Sequence, residues 1–189
     1  MEKTYQAVKT VSREKSNSLI QNALARFLLE NIITKRELGN SILYKANLDN
    51  ARTLAYFTIL SHEQLPKLAQ VSLNHIKNVL TNHPFTSIVV FGSYADSTQT
   101  KNSDLDIAIF VPTKAHKQAV TLALNDAALR SILTLDTHVF TKDEMLQMLA
   151  DKQENLGKQI ARKHLALENP TVFYNIINEG IAYGFKTGH

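Results

Sequence analysis

The sequence predicts an α/β chain of the α+β kind: a short mixed β-sheet flanked by helices, with a small module in front of it. Apolar residues recur at a helical spacing over residues 15–30 and again from Asp49 to His83. Compact β-branched runs then replace that spacing, and they alternate with helical text. These observations divide the chain into residues 1–50 as an N-terminal module, 51–83 as connecting helices and 84–189 as the sheet domain.

In the N-terminal module, Thr4 to Thr10 is a short helical candidate and residues 15–30 form the clearest helix. Leu19, Ile20, Ala23, Leu24, Phe27 and Leu28 make one stripe at a 3.6 period, opposite Lys15, Asn17, Ser18, Gln21, Asn22 and Arg26. Two strands follow around Gly39-Asn40, Ile32 to Arg36 and Ser41 to Ala46. Helix, turn, helix and a two-stranded wing resembles the winged helix-turn-helix, and Leu43 to Asn47 is similar to its last wing strand. The resemblance implies DNA contact through Lys15, Asn17, Ser18, Gln21 and Asn22. Charge placement agrees: residues 1–50 hold eight Lys and Arg against five acids, whereas the rest of the chain is nearly balanced. The alternative is a small helical cap that packs on the remainder and touches no DNA.

From Asp49 to His83 the text is helical, carried by Leu54, Phe57, Leu60, Leu65, Leu68, Leu73, Ile76, Val79 and Leu80. Pro66 falls where a helix start tolerates the missing N–H. Strands are then expected at Ser87 to Phe91, Leu105 to Val111 and Ile132 to Phe140. A helix around Ala119, Leu122, Leu124, Ala128 and Leu129 separates the last two. Thr141 and Glu144 spell a capping box for the next helix, and further helices are expected to the C-terminus.

The absence of cysteine excludes a disulfide scaffold, a cysteine nucleophile and thiolate-bound zinc or iron–sulfur sites. No apolar run approaches the roughly 20 residues needed to span a bilayer, and Met1 to Gln6 has no apolar signal core. A cytoplasmic protein without a membrane partner is expected. The seven histidines show no metal-ligand spacing, and Ser93 has no histidine close in sequence to activate it. Phe173, Tyr174, Tyr183 and Phe185 fit a helix packed on the core, and Lys158, Arg162 and Lys163 a solvated face.

One stretch carries chemistry: Gly92-Ser93, ten residues from Tyr94 to Ser103, then Asp104-Leu105-Asp106. Gly92 after an apolar strand permits a sharp turn and a close approach to a ligand. Free N–H groups beyond it, with the Ser93 hydroxyl, suit phosphate oxygens. Asp104 and Asp106, two apart on a strand, leave the same face and repel unless a cation lies between them. A hard divalent ion such as Mg²⁺ meets that demand. The plain alternative is a tight turn followed by two solvated acids.

Gly-Ser, ten residues and Asp-x-Asp on a strand is similar to the nucleotidyltransferase superfamily of the DNA polymerase beta fold. The short C-terminal region most resembles the minimal nucleotidyltransferases. The likeness extends over about residues 86–185 and includes Asp136 to Glu144, similar to the third catalytic strand and the helix after it. The resemblance implies that Gly92 and Ser93 hold the β- and γ-phosphates of a nucleoside triphosphate, with ATP expected. It implies two Mg²⁺ on Asp104 and Asp106, with Asp136 as third carboxylate, ligand or base. His138, two residues on, is the alternative occupant of that place. Relatives often carry Arg-Gly where this chain has Asp96-Ser97, which puts triphosphate affinity in doubt unless Lys101 in the same loop compensates.

The leading expectation is an enzyme that transfers a nucleoside monophosphate to a hydroxyl. The resemblance implies an acceptor such as a tyrosine on a partner toxin, members of that group often acting as antitoxins. The competing expectation is a DNA-binding regulator or antitoxin whose degenerate nucleotidyltransferase domain only senses nucleotide. Modification of a small molecule is less supported, because enzymes of that kind usually have a larger second domain for the acceptor.

Overall fold

The computed structural model describes residues 2–12 and 14–186, in two units, Met1–Tyr56 and Phe57–His189. Arg13 and His189, counted among the bases and histidines above, lie outside the described residues.

The first unit begins with β1 (Lys3–Thr4), α1 (Tyr5–Ser12) and α2 (Asn17–Leu29), then β2 (Ile33–Leu38) and β3 (Ser41–Ala46). Ser16 caps α2, its hydroxyl accepting the Leu19 N–H. Gly39 turns the β2–β3 hairpin at a φ of 57°, and β1 adds antiparallel on the far side of β3. The very short β1 was not legible in the sequence. The buried line of α2 is narrower than the stripe suggests: Ile20 and Leu24 are buried, while Leu19, Ala23 and Phe27 are exposed. Ile32 and Leu54 complete this small core, and the Thr53 hydroxyl donates to the Ile32 carbonyl at 2.9 Å.

The boundary between the units falls inside α3 (Ala51–Gln64), which is followed by α4 (Lys67–Val79) and a 3₁₀ turn, Leu80–Asn82. The rest of the second unit is β4 (Ser87–Val90), α5 (Gly92–Asp96), β5 (Leu105–Val111), α6 (Lys114–Leu129), β6 (Leu135–Thr141), α7 (Lys142–Ala150), α8 (Leu156–Arg162), β7 (Leu165–Glu168) and α9 (Pro170–Ala182). The sheet order is β6-β5-β4-β7, with β4 antiparallel to both neighbours and β5 parallel to β6. The fold is therefore mixed α/β, a mixed sheet flanked by helices. Where only helices were expected after residue 141, β7 forms a sheet edge. Its Leu-Ala-Leu-Glu has neither β-branched residues nor length to announce a strand.

β5 is central, and Leu105 and Ile107 to Phe110 are fully buried, as a strand covered on both faces requires. Ile107, Ile109 and Val111 pack with Leu73 and Ile76 of α4 and with Val120 and Leu124 of α6. On the alternate face Phe110 meets Phe173 of α9, ring centroids 5.3 Å apart. Of the residues expected to face the core, Leu60, Leu68, Leu122 and Leu129 are exposed; α6 buries Val120, Leu124 and Ala127 instead. Phe173, Tyr174 and Phe185 are buried, but Tyr183 is exposed at the end of α9. The α7 capping box forms as the sequence spells it: Thr141 Oγ1 accepts the Glu144 N–H, and the Glu144 carboxylate accepts the Thr141 N–H at 2.8 Å.

Candidate functional site

The site is built where β4 ends beside the start of β5. The antiparallel register sets Val90 opposite Ile107, and the Phe91 N–H bonds the Asp106 carbonyl at 3.1 Å. Gly92 then turns the chain at a φ of 62°. A Cβ at this position would lie 2.0 Å from Asp106 Oδ2, so the carboxylate occupies the space only glycine leaves. The Ser93 N–H donates to the same carboxylate. That donor is thus engaged within the protein, which leaves the Ser93 hydroxyl and the later backbone of the bend to meet a ligand.

Asp106 stands in parallel register with Asp136, and the two-residue period puts His138 on the same face. His138 Nε2 lies 3.2 Å from Asp136 Oδ1, and its ring stacks on Phe140 with centroids 6.1 Å apart. The aspartate is thus level with Asp106, and the imidazole touches that aspartate. Asp104 is exposed and immediately precedes β5. Burial first, then the charges of Asp136 and Asp104, push the Asp106 carboxyl above its ordinary range, while His138 and the Ser93 N–H pull the other way.

Gly92, Asp106, Asp136 and His138 line a cleft of about 980 Å³ together with Phe91, Asp96, Glu154, Leu156, Gln159, Arg162 and Lys163. The last five come from the loop before α8, from α8 itself and from the residue after it, and the sequence did not single them out for this site. Lys163 is exposed as expected, but Lys158 is not on a solvated face: it is buried, and its ammonium binds the carbonyls of Asp151 and Gln153. Lys101 does not line the cleft; the cation beside Asp96 is Lys163, at 2.7 Å.

The donors Asp104, Asp106 and Asp136 are all oxygen, and the mutual repulsion that adds to burial in raising Asp106 is relieved by a hard divalent cation. Chemically the residues fit Mg²⁺. They are not drawn tight around one point: among the described residues no group of three or more His, Asp or Glu side chains is gathered closely enough to hold a metal ion. Binding would have to close the carboxylates on the ion.

Residues 74–163 match the family model of the nucleotidyltransferase domain. Over these residues the chain is similar to a nucleotidyltransferase domain. The match includes Gly92, Ser93 and all three aspartates of the site. No curated protein matches the chain. Among solved structures, one described as "Crystal structure of the toxin-antitoxin with AMP-PNP" is similar at 20% identity, covering 58% of this chain and 83% of that one, with a TM-score of 0.38.

Outside residues 74–163, Lys15, Asn17, Ser18, Gln21 and Asn22 are all exposed. Asn17 Oδ1 takes the Lys9 ammonium at 2.6 Å, and Ser18 Oγ pairs with Ser16 Oγ at 3.0 Å. Among the described residues no helix is long and apolar enough to cross a membrane.

Proposed function

We propose that this chain transfers a nucleoside monophosphate from a nucleoside triphosphate, with ATP the first candidate, to a hydroxyl acceptor. The observation that carries the reading is the packing of the Asp106 carboxylate against Gly92, level with Asp136 on the next strand. It brings a bend suited to phosphate and a repelling pair of acids into one cleft.

In this reading Gly92 and Ser93 receive the β- and γ-phosphates, and Asp104, Asp106 and Asp136 hold two Mg²⁺. Bound there, the ions offset the triphosphate charge and ease ionisation of the acceptor hydroxyl. Asp136 accepts the proton of that hydroxyl, and His138 at 3.2 Å fixes the carboxylate's orientation. The acceptor oxygen attacks the α-phosphorus in line; one P–O bond forms, the bond to the β-phosphate breaks, and pyrophosphate leaves. A side chain of a partner protein, such as a toxin held by this chain, is the proposed acceptor.

The test is incubation with each α-labelled nucleoside triphosphate, Mg²⁺ and a lysate of the source cell. A labelled product that disappears with Asp104→Ala and with Asp106→Ala supports the reading, and labelling that survives both removes it. The second reading, DNA binding through the N-terminal unit, draws on the order α1, α2, β2, β3 and on the exposed polar face of α2. A salt-dependent shift of duplex DNA that persists in Asp104→Ala supports it.

A further inference from the structure

Four carboxylates, Asp96, Asp106, Asp136 and Glu154, face the cleft with only two permanent cations, Arg162 and Lys163. A polyphosphate entering that field meets net repulsion, and ions held at Asp106 and Asp136 relieve it at one end only. At the other end both cations are already engaged. Lys163 Nζ lies 2.7 Å from Asp96 Oδ1, and Arg162 NH1 lies 2.6 Å from Glu154 Oε1.

The framework behind these cations is rigid. A Cβ on Gly157 would fall 2.6 Å from Met148 Cβ, so α8 is pressed against α7, and Ile160 and Ala161 are buried on the same side. That packing fixes where Arg162 and Lys163 emerge. Asp96 is three residues beyond Ser93 in α5 and so on the same side of that helix, which brings Lys163 to the bend. The pairs, by contrast, are weakly held. Each pair has one exposed partner, Lys163 at 62% against Asp96 at 36% and Glu154 at 50% against Arg162 at 22%, so water competes for one side of both contacts. Arg162 Nε is buried with no hydrogen-bond partner among the described residues, a donor still lacking an acceptor.

We propose that Arg162 and Lys163 form the polyphosphate-receiving end of the cleft, latched by Glu154 and Asp96 until phosphate oxygens displace these acids. Displacement exchanges two loose carboxylate contacts for charge-assisted bonds to phosphate, including one that Arg162 Nε can make. Asp96 and Glu154 then turn to solvent. The latch belongs to the nucleotide reading above and adds a threshold to it: phosphate oxygens have to displace Asp96 and Glu154 before both cations are released to them.

The experiment titrates inorganic tripolyphosphate calorimetrically into the full chain in EDTA, and Mg-ATP in parallel. The variants are Asp96→Asn, Lys163→Gln and the two combined, with melting curves to confirm that each is folded. Lys163→Gln should weaken tripolyphosphate binding about tenfold, the scale of one charge-assisted contact. Asp96→Asn should tighten it by roughly threefold to tenfold, through release of Lys163. In the Lys163→Gln background that gain should vanish, the non-additivity expected of residues in direct contact. A gain of equal size in both backgrounds makes Asp96 a plain repelling charge and overturns the latch. Unchanged affinity in Lys163→Gln, or no tripolyphosphate binding by the parent chain and Asp96→Asn alike, overturns it too. Latch behaviour without nucleotidyl transfer would instead sink the catalytic reading and leave this one standing.

Discussion

Replacing Gly92 by alanine separates backbone strain from the loss of the site. Alanine at a φ of 62° incurs a left-handed backbone cost of roughly 1–2 kcal/mol. For a chain of this size that lowers the melting temperature by about 3–6 °C, so the protein still folds. The larger effect is local. A new Cβ 2.0 Å from Asp106 Oδ2 and 2.8 Å from its Cγ forces the carboxylate back by more than about 1 Å to reach ordinary van der Waals separation. A displacement of about 1 Å in a reacting group costs on the order of 100-fold in rate. Gly39→Ala is the internal control, because Gly39 has a φ of 57° but nothing within 4 Å of its Cβ position. The two variants should melt at similar temperatures, while label transfer from α-labelled ATP collapses in Gly92→Ala alone. Transfer within threefold of the parent chain in a folded Gly92→Ala would show that the approach of Gly92 to Asp106 does not hold the site.

Other outcomes follow from the same geometry. His164 Nδ1 lies 3.0 Å from the Ile160 carbonyl, which can only accept, so Nδ1 carries the proton and Nε2 takes the Tyr174 hydroxyl at 3.2 Å. Burial pulls this imidazole from 6.5 down to about 4, so the folded state keeps it neutral while the unfolded chain protonates it first. Its stabilising contribution is complete above pH 6.5 and is lost by about 3 kcal/mol as the pH falls to 4; His164→Gln should flatten acid unfolding over that window. Asp106 is raised by burial and by its acidic neighbours, so its charge opposes folding once the pH exceeds its folded value. Asp106→Asn in EDTA should therefore melt higher than the parent at pH 7, with the advantage shrinking as the pH falls into the carboxylate range. Thr141→Ala removes the cap of α7 and should cost about 1 kcal/mol by chemical denaturation, with ATP binding unchanged.

What the sequence revealed depended on how local the signal was. β5 runs from Leu105 to Val111 in both readings, because seven apolar or alternating positions closed by Pro112 admit little else. The β7 edge strand is held in place by β4, whose pairing partner cannot be read from four residues of its own. Leu19 and Phe27 fit a helical stripe, yet only Ile20 and Leu24 are buried; periodicity identifies a helix face without measuring how much of it is covered. Asp136 and His138 could not be separated by alternation, which places both on one face. The β5–β6 register pairs Asp136 with Asp106 and His138 with Ala108, while the two side chains touch each other on that face. Arg162 and Lys163 are assigned to a solvated face in the sequence because a basic pair at a helix end is the commonest solvated pattern. Only the contacts to Glu154 and, across the fold, to Asp96 distinguish them.

The motif itself was legible for a geometric reason. β4 and β5 are antiparallel neighbours, so the end of one and the start of the other lie side by side whatever connects them. The connection must turn out of the sheet through α5, reverse at Ser97 with a φ of 56° and return, and ten residues after Ser93 give it room to do so. Glycine and aspartate are then adjacent because of register, and the 2.0 Å approach leaves no freedom in which side chain stands at residue 92. The spacing survives as a signal because it is the length of a detour whose two ends the sheet has already fixed. Residues within the detour face no such constraint, and this is where the chain places Asp96 opposite Lys163.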